Sequence, residues 1–236
     1  MMERSAAISG SIPSANARAR QRALLEVSVV YALILLVLWT PDPWQTLFWG
    51  IALALMMAIT CKSFTGMDAM GLGATNFRRS LWAVGLAFAM AVVAVVLAGN
   101  LHTLHMPANP LLCIRHYGGY ALWAFIQQFG LQCFFLSRLI RLLPDGKSAA
   151  AVAAILFATV HLPSPLLMLA ALIWGFVACL LFLEYRTLYP LVIAHAILGI
   201  ALGISVPAQA DHNMLVGLSY FKYMHNAAKA PPLSQP

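Results

Sequence analysis

The sequence contains seven long apolar stretches, separated by short polar or basic segments. They cover residues 25–40, 45–61, 81–99, 117–136, 148–162, 166–183 and 188–206. An α-helix needs about 20 apolar residues to cross the hydrocarbon core of a bilayer. The pattern therefore predicts an all-α fold, a polytopic membrane helix bundle with about seven transmembrane spans.

Composition supports a surface that faces lipid. Of the 236 residues, 62% are hydrophobic and 9% are charged, whereas soluble domains carry about 25% charged residues. The net charge of +7 comes from basic residues in the short segments between apolar stretches. No basic face is interleaved with aromatic residues, so the sequence predicts membrane lipid as a partner and no nucleic acid. The four cysteines show no C-x-x-C spacing, and this indicates neither a zinc site nor a disulfide framework.

The distribution of Lys and Arg predicts the orientation. With the N-terminus inside, the inner segments carry Arg4, Arg18, Arg20, Arg22, Lys62, Arg78, Arg79, Arg138, Arg141, Lys147 and Arg186. The outer segments carry only Arg115, Lys222 and Lys229. Because basic residues concentrate on the cytoplasmic side, we expect a cytoplasmic N-terminus. The compact loops favour a multi-pass protein of a bacterial inner (plasma) membrane.

Three regions follow from this pattern. Residues 1–23 are expected to be a disordered, basic cytoplasmic lead, residues 24–206 the membrane helix bundle, and residues 207–236 a polar C-terminal tail. The first apolar run ends in Thr40-Pro41-Asp42-Pro43 and not in a small-x-small site, so we expect it to be an uncleaved span. The fifth stretch is short and is either tilted or broken at Pro163.

Amide and imidazole groups are the polar side chains that lie within the spans. Gln127, Gln128 and Gln132 lie in the fourth, His161 ends the fifth and His195 lies in the seventh, while all seven acidic residues lie outside the spans or at their edges. Such groups either join helices through hydrogen bonds or form a functional site. Five of them on three neighbouring spans favour a site that faces a cavity.

Their arrangement resembles the CPBP family of intramembrane proteases, which includes CAAX prenyl endopeptidases and bacteriocin-processing or self-immunity (Abi-like) proteins. The family pattern is E-E-x-x-x-R, then F-x-x-x-H, then H-x-x-x-N. Phe157-Ala158-Thr159-Val160-His161 matches the second part, and His195 begins the third. The family-like core covers residues 117–203.

The resemblance implies a membrane-embedded endopeptidase in which a glutamate activates water, histidines orient it, and an asparagine or histidine stabilises the oxyanion. This chain departs from the pattern, because the first part reads Gln127-Gln128-Phe129-Gly130-Leu131-Gln132 and Gly199 follows His195 in place of asparagine. An amide cannot act as a general base. Replacing both glutamates and the arginine together does, however, leave no unpaired charge in lipid.

Three functions remain open on the sequence alone. The first is peptide-bond hydrolysis of a membrane-associated or lipidated substrate, with His161 or His195 as base and Gln127, Gln128 and Gln132 orienting water or the scissile carbonyl. The second is a catalytically inactive member that binds a membrane or lipidated peptide, as a chaperone or an immunity factor. The third is a two-histidine haem or metal site on His161 and His195; otherwise no cofactor is expected.

Two further expectations concern residues near this site. Glu184 could serve as base only by moving about 10 Å from its span end, so histidine is the favoured base. Gly130, Gly175 and Gly199 are expected to allow close approach of the helices around the polar cluster.

Overall fold

The computed structural model describes residues 11–106 and 109–229, and no β-strand occurs in these two ranges. The helices are α1 Ser11–Trp39, α2 Trp44–Lys62, α3 Phe77–Asn100, α4 Pro110–Gln128, a π-helix Phe129–Leu136, α5 Ser137–Leu142, α6 Gly146–Thr159, α7 Pro165–Tyr185, α8 Tyr189–Ser205, α9 Ala208–Asp211, a 3₁₀ turn His212–Met214 and α10 Gly217–Lys229. The prediction of an all-α helix bundle is confirmed.

Several of these helices have the length and composition of membrane spans. Within the described ranges, α1, α2, α3 and α7 qualify; α8 and the segment after its 116° bend make a fifth only if the bent pair is counted as one span. The 14 residues of α6 are apolar but span only about 21 Å. The protein is thus an integral membrane helix bundle, while the count of seven spans and the cytoplasmic N-terminus stay predictions.

Interhelical contacts define the two ends of the bundle. At one end, which we call the distal face, the ring of Trp39 at the end of α1 contacts Phe221, and the Thr103 hydroxyl donates to the carbonyl of Ser205 at the end of α8. At the other end, the proximal face, Arg20 donates to the Leu142 carbonyl at 3.0 Å. The first helix therefore runs from the proximal face, near Arg20, to the distal face, near Trp39.

The helices pair closely where small residues allow it. The hairpin of α6 and α7 packs through Gly175, where a Cβ would lie 3.0 Å from the Phe157 ring and 3.4 Å from the Cα of Ala154. A Cβ at Gly199 would overlap the hydroxyl of Tyr120, across the contact between α4 and α8. The expectation of close helix approach is therefore confirmed at Gly175 and Gly199.

A buried ion pair fastens α1 to α5 near the proximal face. The Arg138 guanidinium donates to Glu26 at 2.9 Å, to the Phe134 carbonyl at 3.1 Å and to the Ser63 hydroxyl at 3.1 Å. It also lies 4.1 Å from the centre of the Phe134 ring. Glu26 accepts a second ion pair from Arg22 at 2.8 Å. Through Arg138, α5 is thus joined to the first helix and to Ser63, the residue that caps the end of α2.

The first helix begins earlier than the sequence analysis expected. Residues 1–10 of the expected disordered lead lie outside the described residues, but the helix starts at Ser11 and not near residue 24. Ala23 and Val27 are already buried, at 2% and 7% exposure. The lead is rich in Ala and Arg, which have high helix propensity, so the helix extends beyond the apolar run.

The segment after residue 207 also differs from a polar tail, because it covers the distal face. It holds α9, the 3₁₀ turn and the amphipathic helix α10. The Gly217 N–H donates to the Leu162 carbonyl at 2.7 Å, in the turn between α6 and α7. A Cβ at Gly217 would overlap the carbonyl of Leu38, and its φ is +56°, so glycine is required there. We call residues 207–217 the roof segment.

Candidate active site

The five predicted site residues come from four adjacent helical elements. Gln127 and Gln128 end α4, Gln132 lies in the π-helix, His161 follows the end of α6, and His195 lies on α8. Gln128, Gln132 and His195 form one hydrogen-bonded chain. Gln127, His161 and His195 line one cavity. The residues therefore converge on His195, but they have two different surroundings.

The chain of amides is sealed from solvent. Gln132 Nε2 donates to Gln128 Oε1 at 3.2 Å, and Gln128 Nε2 contacts His195 Nδ1 at 3.1 Å. Both glutamines are 0% exposed, and His195 is 8% exposed. Because an amide nitrogen only donates, His195 Nδ1 accepts in this orientation, and the proton of the neutral ring is on Nε2.

The chain ends on an unsatisfied atom. Gln132 Oε1 is buried and has no hydrogen-bond partner in the described part of the protein, and the Cys179 thiol lies beside the same amide. A buried acceptor without a partner costs about 1–3 kcal/mol. Gln132 and Gln128 stand where the family pattern has its arginine and its second glutamate. In place of a charged pair, the two neutral amides bond to each other, and Gln128 also bonds to His195.

His161 has the opposite tautomer. Its Nδ1 lies 2.7 Å from the Phe157 carbonyl oxygen, and a carbonyl only accepts, so the proton of the neutral ring is on Nδ1. Phe157 is in the last turn of α6, where backbone carbonyls lack helical partners. The spacing of four residues in Phe-x-x-x-His thus places the imidazole on a free carbonyl. Its Nε2 lone pair remains available, and His161 lines the cavity.

Aromatic rings surround the two imidazoles. The Phe157 ring lies edge-on to His161 at 5.0 Å and to His195 at 6.0 Å between ring centres. Tyr120 lies edge-on to His195 at 6.4 Å, and Trp174 lies 6.1 Å from it. These rings restrict the orientation of both imidazoles. The buried Trp174 Nε1 has no partner in the described ranges.

The cavity has a volume of about 730 Å³ and predominantly apolar walls. Its lining comes from α1 to α4, the π-helix, α6 to α8 and the roof segment, and it includes Trp49, Trp82 and Trp123. Among the described residues, no aspartate or glutamate lines it. Glu184 is exposed near the end of α7 and does not line it. Its polar lining near the histidines is imidazole, the amide of Gln127 and the hydroxyl of Tyr120.

The side chains near the histidines also bear on the haem or metal hypothesis. Across residues 11–106 and 109–229, no three His, Cys, Asp or Glu side chains converge as metal ligands do. A metal held by His161 and His195 would therefore have only two such ligands from the described chain. The two-histidine site stays a prediction.

Sequence reasoning missed two features of this site. The first is the π-helix over Phe129–Leu136, which contains Gln132; such segments occur frequently at functional sites. The second is Tyr120, whose hydroxyl lies against Gly199. The family pattern has an asparagine where this chain has Gly199. A glycine at that position leaves room for a side chain from a neighbouring helix, and this was the feature of the sequence that could have indicated the approach of Tyr120.

Comparison with known proteins matches the same region. Residues 117–201 match the family model described as type II CAAX prenyl endopeptidase Rce1-like. This segment contains Tyr120, all five predicted site residues and Gly199. No curated protein and no solved structure matches the chain at a significant level.

Proposed function

We propose, on the premise that this chain belongs to the CPBP family of intramembrane proteases through residues 117–201, that it hydrolyses a peptide bond in a membrane-associated or lipidated substrate. The reaction takes place in the cavity lined by His161 and His195. We further place the protein in the inner membrane of a bacterium. The site works without a carboxylate, and His161 is its general base.

The observation that supports this proposal most is the pair of opposite tautomers on one cavity. His161 has a free lone pair on Nε2 because its Nδ1 is bound to the Phe157 carbonyl. His195 has a proton on Nε2 because its Nδ1 accepts from Gln128. One imidazole can take a proton from water while the other donates a hydrogen bond. Histidine is the side chain that most often transfers the proton in general acid–base catalysis.

The reaction can be written with these groups alone. His161 Nε2 takes a proton from water as the water oxygen bonds to the carbonyl carbon, and the π electrons of the carbonyl move to its oxygen. His161 then returns the proton to the amide nitrogen as the carbon–nitrogen bond breaks. Gln128 holds His195 in its tautomer, and Gln132 holds Gln128. Gln127 lines the cavity, where its amide can bind the peptide backbone of the substrate.

A second function is favoured by a separate observation. The amides of Gln128 and Gln132 are fully buried and bonded to each other, and the described lining of the cavity includes no carboxylate. A neutral apolar cavity of this kind suits binding without hydrolysis, as in a chaperone or immunity factor for a membrane or lipidated peptide.

The experiment that separates these functions compares new protein N-termini in membranes of cells that carry the wild type, His161→Ala or His195→Ala. His225→Ala is the matched control, since His225 is exposed on α10. We expect cleavage sites that are present with the wild type and the control and absent from both site variants. Identical N-termini at equal protein abundance would refute hydrolysis and favour the binding function, which predicts co-purifying peptides.

A further inference from the structure

Tyr120 presents a hydroxyl that is not used by the fold. Its ring lies edge-on to His195, 6.4 Å between ring centres, and the residue lines the cavity that holds His161. The hydroxyl makes no hydrogen bond to any residue in the described part of the chain, in contrast to the hydroxyls of Tyr31, bonded to Thr159, and Tyr189, bonded to the Leu72 carbonyl. It is a free donor beside His195, on the cavity that His161 also lines.

Gly199 makes room for this hydroxyl. Gly199 is buried and lies one helical turn after His195 on α8, so the two residues share a helix face. A Cβ at position 199 would overlap the hydroxyl oxygen and the ring carbon that bears it. The hydroxyl therefore lies directly against the backbone of α8, in a position that only glycine permits.

Tyr120 lies between two pockets of the protein. Tyr120 and Gly199 also line a second pocket of about 800 Å³, whose walls include Arg115, His105 and Asn213. This second pocket is more polar than the cavity and lies towards the distal face. Tyr120 is therefore part of the wall of both the apolar cavity and the polar pocket.

We propose that Tyr120 is a catalytic residue of the hydrolysis proposed above: its hydroxyl donates a hydrogen bond to the carbonyl oxygen of the scissile peptide as that oxygen becomes an oxyanion. The inference rests on the proposed function, in which His161 takes the proton of the attacking water. The electron pair that leaves the carbonyl π bond is then stabilised by the O–H of Tyr120. A preorganised donor that is free before the reaction costs no reorganisation during it.

The test measures how fast the His161-dependent N-termini appear after expression is induced, with the membrane proteome of the host as the substrate. Loss of one oxyanion donor lowers turnover by about 10²–10³-fold, so we expect Tyr120→Phe to slow their appearance by a factor in this range at unchanged abundance. Because the lost contact forms only in the transition state, the amount of uncleaved precursor that co-purifies with the protein should not fall. Tyr189→Phe removes a hydroxyl from the proximal end of α8 and should cleave at the wild-type rate.

A second variant covers the case in which Tyr120→Phe does not accumulate. Gly199→Ala keeps the tyrosine but forces its hydroxyl to move, and we expect a comparable loss of rate. Wild-type rates in either accumulating variant, with His161→Ala silent, would overturn the role of Tyr120 and leave the proposed function standing. The absence of any His161-dependent cleavage would overturn both.

Discussion

Removing Glu26 should destabilise the bundle more than removing its partner Arg138. The Arg138 side chain is 4% exposed and Glu26 is 15% exposed. In Glu26→Ala the guanidinium stays buried with neutral acceptors only. In Arg138→Met the carboxylate keeps its ion pair with Arg22, and the methionine fills much of the vacated volume. The two halves of the pair are therefore not equivalent.

The structure gives the size of the difference. Breaking a buried pair by removing one partner costs about 3–5 kcal/mol, and the partial exposure of Glu26 places Glu26→Ala near the lower value. Replacing the cation by an apolar side chain while the anion remains paired should cost about 1 kcal/mol, because exchanging buried charge for apolar packing is often nearly neutral. The double variant should resemble Arg138→Met, which gives a coupling of about 3 kcal/mol, the upper end of the usual range for contacting residues.

The assay is equilibrium unfolding in detergent micelles, with the free energy of unfolding determined for the wild type, both single variants and the double variant. Wild-type activity is not needed for this measurement. Additive effects, or a Glu26→Ala variant that loses less stability than Arg138→Met, would refute the view that a desolvated guanidinium dominates the energy of this contact.

Two other predictions concern the amide chain and the start of α6. Gln128→Leu leaves two buried groups without partners, His195 Nδ1 and Gln132 Nε2. Gln132→Leu leaves only Gln128 Oε1 without its donor and also removes the unpaired Gln132 Oε1. Unfolding in micelles should show a loss of about 1–3 kcal/mol for Gln128→Leu and clearly less for Gln132→Leu, and equal losses would contradict the hydrogen-bonded chain. The Asp145 carboxylate accepts from the Ser148 backbone N–H and hydroxyl and from the Lys147 N–H, and these bonds lower the pKa of Asp145. Because the pKa is lower in the folded state, the Asp145 carboxylate contributes its full stability above the usual pKa of about 3.9, and this contribution is lost as the pH falls through the lowered value. Asparagine at this position can cap the helix but does not titrate. As the pH falls, hydrogen exchange of the first α6 amides should therefore accelerate in the wild type relative to Asp145→Asn, and identical pH profiles would refute this.

Much of the fold follows from the sequence because lipid leaves few choices. Each of the seven predicted stretches lies largely within helix in the structure, since a long apolar run must satisfy its backbone internally. The convergence of Gln128 and His195 also followed from the order and spacing of the polar residues. Their catalytic roles stay predictions.

The remaining features depend on tertiary contacts that no local pattern contains. The π-helix over Phe129–Leu136 changes the backbone register by a fraction of a turn, and the apolar residues in it would suit an ordinary α-helix equally well. The place of Tyr120 against Gly199 depends on how α4 meets α8. By contrast, α10 could have been predicted, because Leu218, Phe221 and Met224 recur at helical spacing in a polar segment.

The roof segment sets an order of events during synthesis. The cavity wall takes Tyr31 from the first helix and Met214 and Val216 from the roof segment, which is translated after every apolar stretch. The two histidines are therefore synthesised before the last part of the wall that encloses them. The cavity wall is consequently completed only after the last apolar stretch has been synthesised.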